Sequence, residues 1–203
     1  MSKVSTENTK EPSLMQQALG DQWDALPKAL KAHYENDESG INIAEGKLSI
    51  RFPKFMKLPL TLMRLMGALV NREGEELPTK VERVMQGGQQ YWHRSIRFPD
   101  GKTIHFKSRF TYEKDRNEFI EYTNDFLGLR MKVRFENNQL IYESNGYVLK
   151  LGVVKILIPE WLSLGHALIV ETAVENKRFM MDFSLKHPFL GVIFVYKGEF
   201  STL

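Results

Sequence analysis

From Thr79 to Phe200 the chain is a succession of short runs of alternating apolar and polar residues, cut by turn pairs at Gly87-Gly88, Asp100-Gly101, Asn137-Asn138 and Asn176-Lys177. Period-two alternation interrupted by such pairs predicts strands joined by hairpins. The runs are Thr79–Gln86, Gln89–Phe98, Thr103–Tyr112, Glu118–Asn124, Leu129–Glu136, Gln139–Ser144, Tyr147–Leu151, Ala167–Glu175, Arg178–Lys186 and Val192–Phe200. Sequential strands with short connections make an antiparallel meander. About ten strands will not lie flat, so the sheet is expected to curl into a barrel or half-barrel. The interval Gly152–Gly165 reads as the one long irregular connection.

The N-terminal part is different. Residues 1–12 are polar and read as a disordered arm, with 13–203 as a single domain. Ser13 with Gln16 is a capping-box start for a helix over Leu14–Leu19. A second helix begins near Pro27, runs to Tyr34 and is ended by the cluster Asn36–Gly40. Ile41–Ile50 reads as a first strand with a bulge at Gly46. Between it and the meander, Arg51 to Arg72 carries five basic residues, no acid and mostly apolar side chains. Within this stretch Pro59–Asn71 is predicted helical. Its apolar arc is wider than the roughly 100° a surface helix needs, which predicts a helix wedged into the core on two sides. The competing reading is a lid that touches ligand or lipid through Leu62, Arg64 and Met66.

Register decides which side chains point inward, because a slip of one residue exchanges the faces. A three-residue loop at Gly101 pairs Trp92 with Phe110, Ile96 with Phe106 and Phe98 with Ile104, and sets Arg94 opposite Ser108. Continuing the ladder puts Ser108 beside Tyr122, Met131 beside Tyr122, and Leu140, Tyr142 and Ser144 against Phe135, Val133 and Met131. The other face then carries Glu121 between Arg109 and Lys132, with Glu143 beyond. In the C-terminal hairpin the same reasoning pairs Val170 with Phe183 and Thr172 with Met181. It places Glu171 opposite Asp182 on the outside, relieved by Lys197, and adds Phe194 and Tyr196 to the inner face. At Gly87-Gly88 two registers stay open. One puts Arg83 inside; the other pairs Arg94 with Glu82.

The candidate ligand-binding set is therefore Arg94, Ser108, Trp92, Phe110, Tyr122, Tyr142, Tyr196 and Met131, an apolar interior with hydroxyls and one guanidinium. Buried polar groups need partners, and the planar fork of Arg94 suits a carboxylate or phosphate head. If Arg94 pairs with Glu82, nothing need be bound. No catalytic residue is assigned. The five histidines share no metal-ligand spacing, and HExxH, GxSxG and glycine-rich phosphate motifs are absent. No metal and no cofactor are expected. Zero cysteines exclude disulfides and thiolate chemistry and suit a cytoplasmic setting. A net charge of +3 without a clustered basic module argues against nucleic acid. Leu58–Val70 is too short and too interrupted by Arg64 to span a membrane.

Several of these positions also carry a family resemblance. Leu26-Pro27 with His33, Gly46, Trp92-x-Arg94, Ser108, Glu121, Pro159 with Leu162, Phe179, and His187-Pro188 through Gly191 to Tyr196-x-Gly198 resemble the bacterial domain of unknown function 4166, from about Leu14 to Phe200. Members occur alone or behind NAD(P)-dependent reductase-like domains, so the resemblance implies a functional link to such reductases. It implies no activity, substrate or catalytic residue. The element order is similar to that of fatty-acid-binding proteins.

The leading expectation is a non-enzymatic module that holds a hydrophobic or amphiphilic, anionic small molecule (lipid or fatty-acid-like) inside a curved sheet. The alternatives are an enzyme in the same cavity, with Arg94 and one of Tyr122, Tyr142 or Tyr196 as polarising donors, and an interaction or peripheral membrane module using residues 51–72.

Overall fold

In the computed structural model, which describes residues 12–36 and 40–203, the alternating runs form eleven antiparallel strands. They are β1 (Ile41–Arg51), β2 (Gly74–Gln86), β3 (Gln89–Arg97), β4 (Thr103–Glu113), β5 (Glu118–Tyr122), β6 (Leu127–Glu136), β7 (Gln139–Leu151), β8 (Val154–Ile158), β9 (His166–Ala173), β10 (Arg178–His187) and β11 (Gly191–Thr202). Strands β1 to β7 pair in order, β7 pairs with β9, and β9, β10 and β11 return to β1. Ten strands thus close into a barrel, which leaves no free edge in the ring. The eleventh, β8, hangs outside on the far half of β7. The interval expected to be irregular therefore contains a strand; Val154, Ile156 and Ile158 are the β-branched residues that should have marked it.

Residues 1–11 of the expected arm and 37–39 of the expected helix-ending cluster lie outside the described residues. The first helix, α1 (Leu14–Leu19), has the full reciprocal capping box between Ser13 and Gln16. A 3₁₀ turn follows, and α2 (Lys28–Tyr34) starts directly after Pro27. Their apolar residues Leu14, Met15, Leu19, Leu26, Leu30 and Tyr34 are buried. They plug one end of the barrel, where Tyr112 Oη donates to the Gln17 carbonyl (3.3 Å) and the His33 ring meets Phe179 at 4.5 Å.

At the opposite end the chain leaves β1, stacks Phe52 on Phe194, and enters a 3₁₀ turn (Lys54–Met56) and then α3 (Lys57–Leu65). The helix expected to reach Asn71 stops at Leu65, because the chain turns at Gly67 with φ +78°. The segment Ala68–Val70 then crosses the barrel mouth, held at its start by Asn124 Nδ2 donating to the Met66 carbonyl at 2.7 Å. The expected two-sided burial is not found. Leu60 and Met56 face inward, while Leu58, Leu62 and Leu65 are 70%, 53% and 80% exposed.

Gly46 is not a bulge. It pairs regularly with Thr79 and Phe200, and a Cβ there would stand 2.0 Å from the Glu199 carbonyl oxygen. The residue is glycine because β11 approaches too closely for any side chain.

Four registers separate the expected ladder from the observed one. Between β3 and β4 the pairing is Trp92 with Ser108, Arg94 with Phe106 and Ile96 with Ile104, a slip of two that preserves both faces. Between β4 and β5 the slip is one. Phe110 opposes Glu121, so Phe119 and Glu121 point inward and Ile120 and Tyr122 outward. A slip of three between β5 and β6 reverses the faces again and returns Met131 to the interior opposite Phe119. The β6–β7 hairpin has the expected register, with Met131, Val133 and Phe135 opposite Ser144, Tyr142 and Leu140. In the β9–β10 hairpin a slip of one pairs Met181 with Glu171 and Asp182 with Val170. That turns Glu171 inward and Thr172 outward, and leaves Asp182 outside with Lys197.

Candidate ligand-binding cavity

Arg83 and Arg94 stand on alternating inward positions of β2 and β3. Arg94 lies between the Trp92 and Phe106 rings, with its guanidinium carbon 5.0 and 5.1 Å from their centroids. Its Nη1 donates to Ser108 Oγ at 2.9 Å, and its Nη2 lies 3.3 Å from Glu121 Oε1. Ser108 is thus its diagonal neighbour rather than its cross-strand partner. Glu82 is bound to Lys80 on the outer face, so the expected alternative partner of Arg94 is replaced by Glu121. Arg83 is buried; its Nη2 donates to the Glu35 carbonyl (2.6 Å) and to Asn42 Oδ1 (2.7 Å). Burial pushes the Arg83 guanidinium down to about 10.

On the far wall Glu171 Oε2 accepts a hydrogen bond of 2.7 Å from Tyr34 Oη, and the Tyr34 and Tyr142 rings lie 6.4 Å apart. Burial raises the Glu171 carboxyl to about 7, against the opposing pull of the Tyr34 hydrogen bond and of Arg94 and Arg83. Burial likewise holds the Tyr34 and Tyr142 phenols well above their ordinary value, reinforced by the Glu171 charge, and pushes Tyr196 up to about 12. His33 is held well below its ordinary value by burial and then by the two guanidiniums, so it sits in the core as the neutral imidazole. Below about pH 7 Glu171 is protonated and brings no negative charge to the Arg94 and Arg83 guanidiniums.

These groups, Arg83 excepted, border two neighbouring cavities. One, of about 70 Å³, is lined by Trp92, Arg94, Phe110, Tyr142, Glu171 and Tyr196 among apolar residues. The second, of about 80 Å³, lies between Glu121, Leu129, Phe183 and Tyr196. Ala68, Leu69, Phe106, Ile169 and Tyr196 border both, so the segment after α3 roofs the pair.

Of the residues singled out from sequence, Arg94, Trp92, Phe110, Tyr142 and Tyr196 line the first cavity. Ser108 holds Arg94 from behind, and Met131 is packed in the surrounding core. Tyr122 does not belong: it packs with Ile120 and Val148 in a separate cluster outside the barrel wall. Leu62, Arg64 and Met66 are exposed on the outer side of the flap, and the residues facing the cavity are Ala68, Leu69 and Val70. Sequence reasoning missed Glu121 and Glu171, both turned inward by odd slips, and His33 and Tyr34, which arrive from α2.

A separate open groove lies outside the barrel. There Ser144 Oγ is bound to Glu160 and accepts from Ala167 N (2.8 Å), and His166 Nδ1 lies 3.0 Å from Glu160. Ser144 and Glu160 approach the same imidazole nitrogen, and the carboxylate on the opposite one, Glu143, stands 3.7 Å from Nε2, beyond the hydrogen-bond distance a proton relay needs. The cluster anchors the β8–β9 connection. Among the described residues no group of three His, Cys, Asp or Glu could hold a metal ion, and no helix is long and apolar enough to cross a membrane.

No curated protein matches the sequence. Among solved structures the chain is similar to a REP1-NXSQ fatty acid transporter, at 15% identity over 81% of this chain and 95% of that one, with TM-score 0.35. It is similar also to a Thermobifida fusca YX structure assigned as a thioesterase II (7% identity, 80% and 78% covered, TM-score 0.27). A third is the dehydratase domain of RzxB from Pseudomonas fluorescens (8% identity, 81% and 78% covered, TM-score 0.21). Likenesses this distant leave function to be read from the cavity itself. The sequence comparison is direct: residues 26–200 match the family described as Domain of unknown function (DUF4166), and the chain belongs to that family.

Proposed function

We propose that this protein is a binding module for a small hydrophobic molecule with an anionic head, held inside the barrel with the head against Arg94. The observation that carries the reading is the charge arrangement of the interior. Arg94 is held from behind by Ser108, meets Glu121 at 3.3 Å, and lines an apolar cavity. A carboxylate or phosphate would offer its fork the two parallel bonds that Glu121 does not supply. Each cavity is about half the roughly 150 Å³ void that accepts a benzene ring in an engineered core, and the two share Ala68, Leu69, Phe106, Ile169 and Tyr196 as a common wall. An apolar chain is accommodated when side chains of that shared wall move to join the two voids, and it would enter past Ala68–Val70.

Calorimetric titration with octanoate and with octanol tests the head-group role. Octanoate is expected to bind and octanol to bind at least tenfold more weakly, the loss of one charge-assisted hydrogen bond of about 1.5–3 kcal/mol. Arg94→Met alone strands the Glu121 carboxylate, so the variant to use is Arg94→Met with Glu121→Leu. If that folded double variant keeps the preference for octanoate, or if the unaltered protein binds neither probe, the reading fails.

One observation favours a second reading, an enzyme in the same cavity. Glu171 is buried, poised to about 7 and lines the cavity with Arg94, as a general acid or base would. Under this reading a co-purifying ligand would be chemically altered on incubation with the protein, and Glu171→Gln would bind that ligand without altering it.

A further inference from the structure

A nine-residue helix on the surface of a barrel ordinarily turns its apolar face inward. In α3 only Leu60 is buried, while Leu58, Leu62 and Leu65 project outward with Phe55 and Met66. This exposed apolar surface does not stand alone. Asn124, which holds the Met66 carbonyl, accepts from the backbone N–H of Phe126, and Phe126 is exposed beside the flap. Strand polarity brings the β10–β11 turn to the same end, since Arg51 at the end of β1 pairs with Val195 near the start of β11. That turn exposes Phe189 and Leu190, and the neighbouring His187 is bonded to the Trp161 carbonyl, beside exposed Leu162. Apolar side chains gathered from α3 and three loops mark an interaction site, because scattered exposure would not concentrate at one end.

The charges select the partner. Lys57 and Arg64 donate to the Asn71 carbonyl and side chain, and none of the ion pairs among the described residues gives Lys54, Lys57 or Arg64 a carboxylate. Arg51 and Arg72 are neutralised by Glu75 and Asp100. The flap therefore carries three uncompensated cations around its leucines. We propose that this end of the barrel docks on an anionic lipid bilayer, with Leu58, Leu62 and Leu65 entering the acyl boundary and Lys54, Lys57 and Arg64 at the level of the phosphate and carboxylate headgroups. That is the geometry of an interfacial amphipathic helix. A fluid surface also suits apolar groups borne on a short helix and separate loops, which offer no continuous groove to a folded partner. Docking places the lipid phase directly above Ala68–Val70, the roof of the interior cavities.

Flotation of the full chain with vesicles tests the proposal, using pure phosphatidylcholine and phosphatidylcholine mixed with phosphatidylserine. The chain is expected to float with the mixed vesicles, to release at high salt, and to bind pure phosphatidylcholine far less. Each of Lys54→Gln and Lys57→Gln is expected to weaken binding roughly fivefold. Leu62→Ser and Leu65→Ser alter exposed positions and should leave folding intact, and each is expected to weaken it roughly tenfold or more. No flotation, or flotation indifferent to the leucine variants, overturns the proposal. So does sedimentation showing a dimer that dissociates in Leu62→Ser with Leu65→Ser, which would assign the face to a second copy. The octanoate titration is independent of this surface, so a leucine variant that no longer floats but still binds octanoate separates docking from the interior site.

Discussion

Replacing Glu171 by Gln should change how the stability of this protein depends on pH. Gln keeps a carbonyl oxygen to accept from Tyr34 Oη at the position of the present 2.7 Å bond, and it removes the titration. The Glu171 carboxyl lies at about 7 in the folded chain against 4.5 for an unperturbed Glu. Between those values the folded state holds a proton that the unfolded state has released, so stability falls as pH rises through this window and levels off above about 7. The group's favourable contribution is complete below 4.5 and gone above 7. At 1.36 kcal/mol per pH unit, the shift corresponds to about 3 kcal/mol. The assay is urea unfolding of both proteins at closely spaced pH values from about 5 to 8, the window set by these pKa values. The difference between the two free energies should drift by most of that 3 kcal/mol in favour of the variant as pH rises, with equal m-values. Parallel curves across the window would show that Glu171 is ionised without penalty, and the charge arrangement inferred for the cavity would be wrong.

Two further perturbations probe the frame around the cavity. Gly46→Ala places a methyl group 2.0 Å from the Glu199 carbonyl oxygen, so β1 and β11 must part where the barrel closes; a loss of more than about 3 kcal/mol in urea unfolding is expected, and a loss under about 1 kcal/mol would mean the seam can breathe. Arg130→Met removes the charge partner of the buried Glu118 carboxylate, which Arg130 holds through two bonds of 2.6 and 3.1 Å, and leaves it the 2.6 Å hydrogen bond from Asn145 Nδ2; destabilisation of about 3 kcal/mol is expected, largely recovered when Glu118→Leu is added, and a neutral single variant would refute burial of the pair.

The barrel was legible in the sequence because alternation and turn pairs act locally. The capping box at Ser13 and the start of α2 after Pro27 are equally local and appear where the residues place them. Facing is a different matter, because it depends on the length of each connection. At Asn137-Asn138 the turn is two residues with positive φ at both, and the expected register is observed. Elsewhere the connections differ by one or more residues from the lengths the expected registers require. Lys114–Asn117 closes β4–β5 through a 3₁₀ turn ending on left-handed Asn117, and five residues separate Ala173 from Phe179 in β9–β10. Each adds an odd offset, and an odd offset exchanges inside for outside. The two acids that complete the interior, Glu121 and Glu171, lie on the strands those two loops join, so the expected registers turn both to solvent.

The same offsets explain why hydrophobic matching gave no warning. Tyr122 and Ile120 suit an interior as well as Phe119 does, and outside the ring they still find apolar cover from Val148. A strand buried on both faces carries no alternation to fix its register, and all five residues of β5 are buried. Outside cover comes from Val148 on the far half of β7, the half that turns away from β9 and pairs with β8. The expected ladder sets Ile120 and Tyr122 inward, and it is the far half of β7 lying over the outer face that lets them turn outward and Glu121 turn in toward Arg94. The interior ion pair and the outer Ile120–Tyr122–Val148 cluster are thus two consequences of one register, and reading either requires the position of β7 over β5.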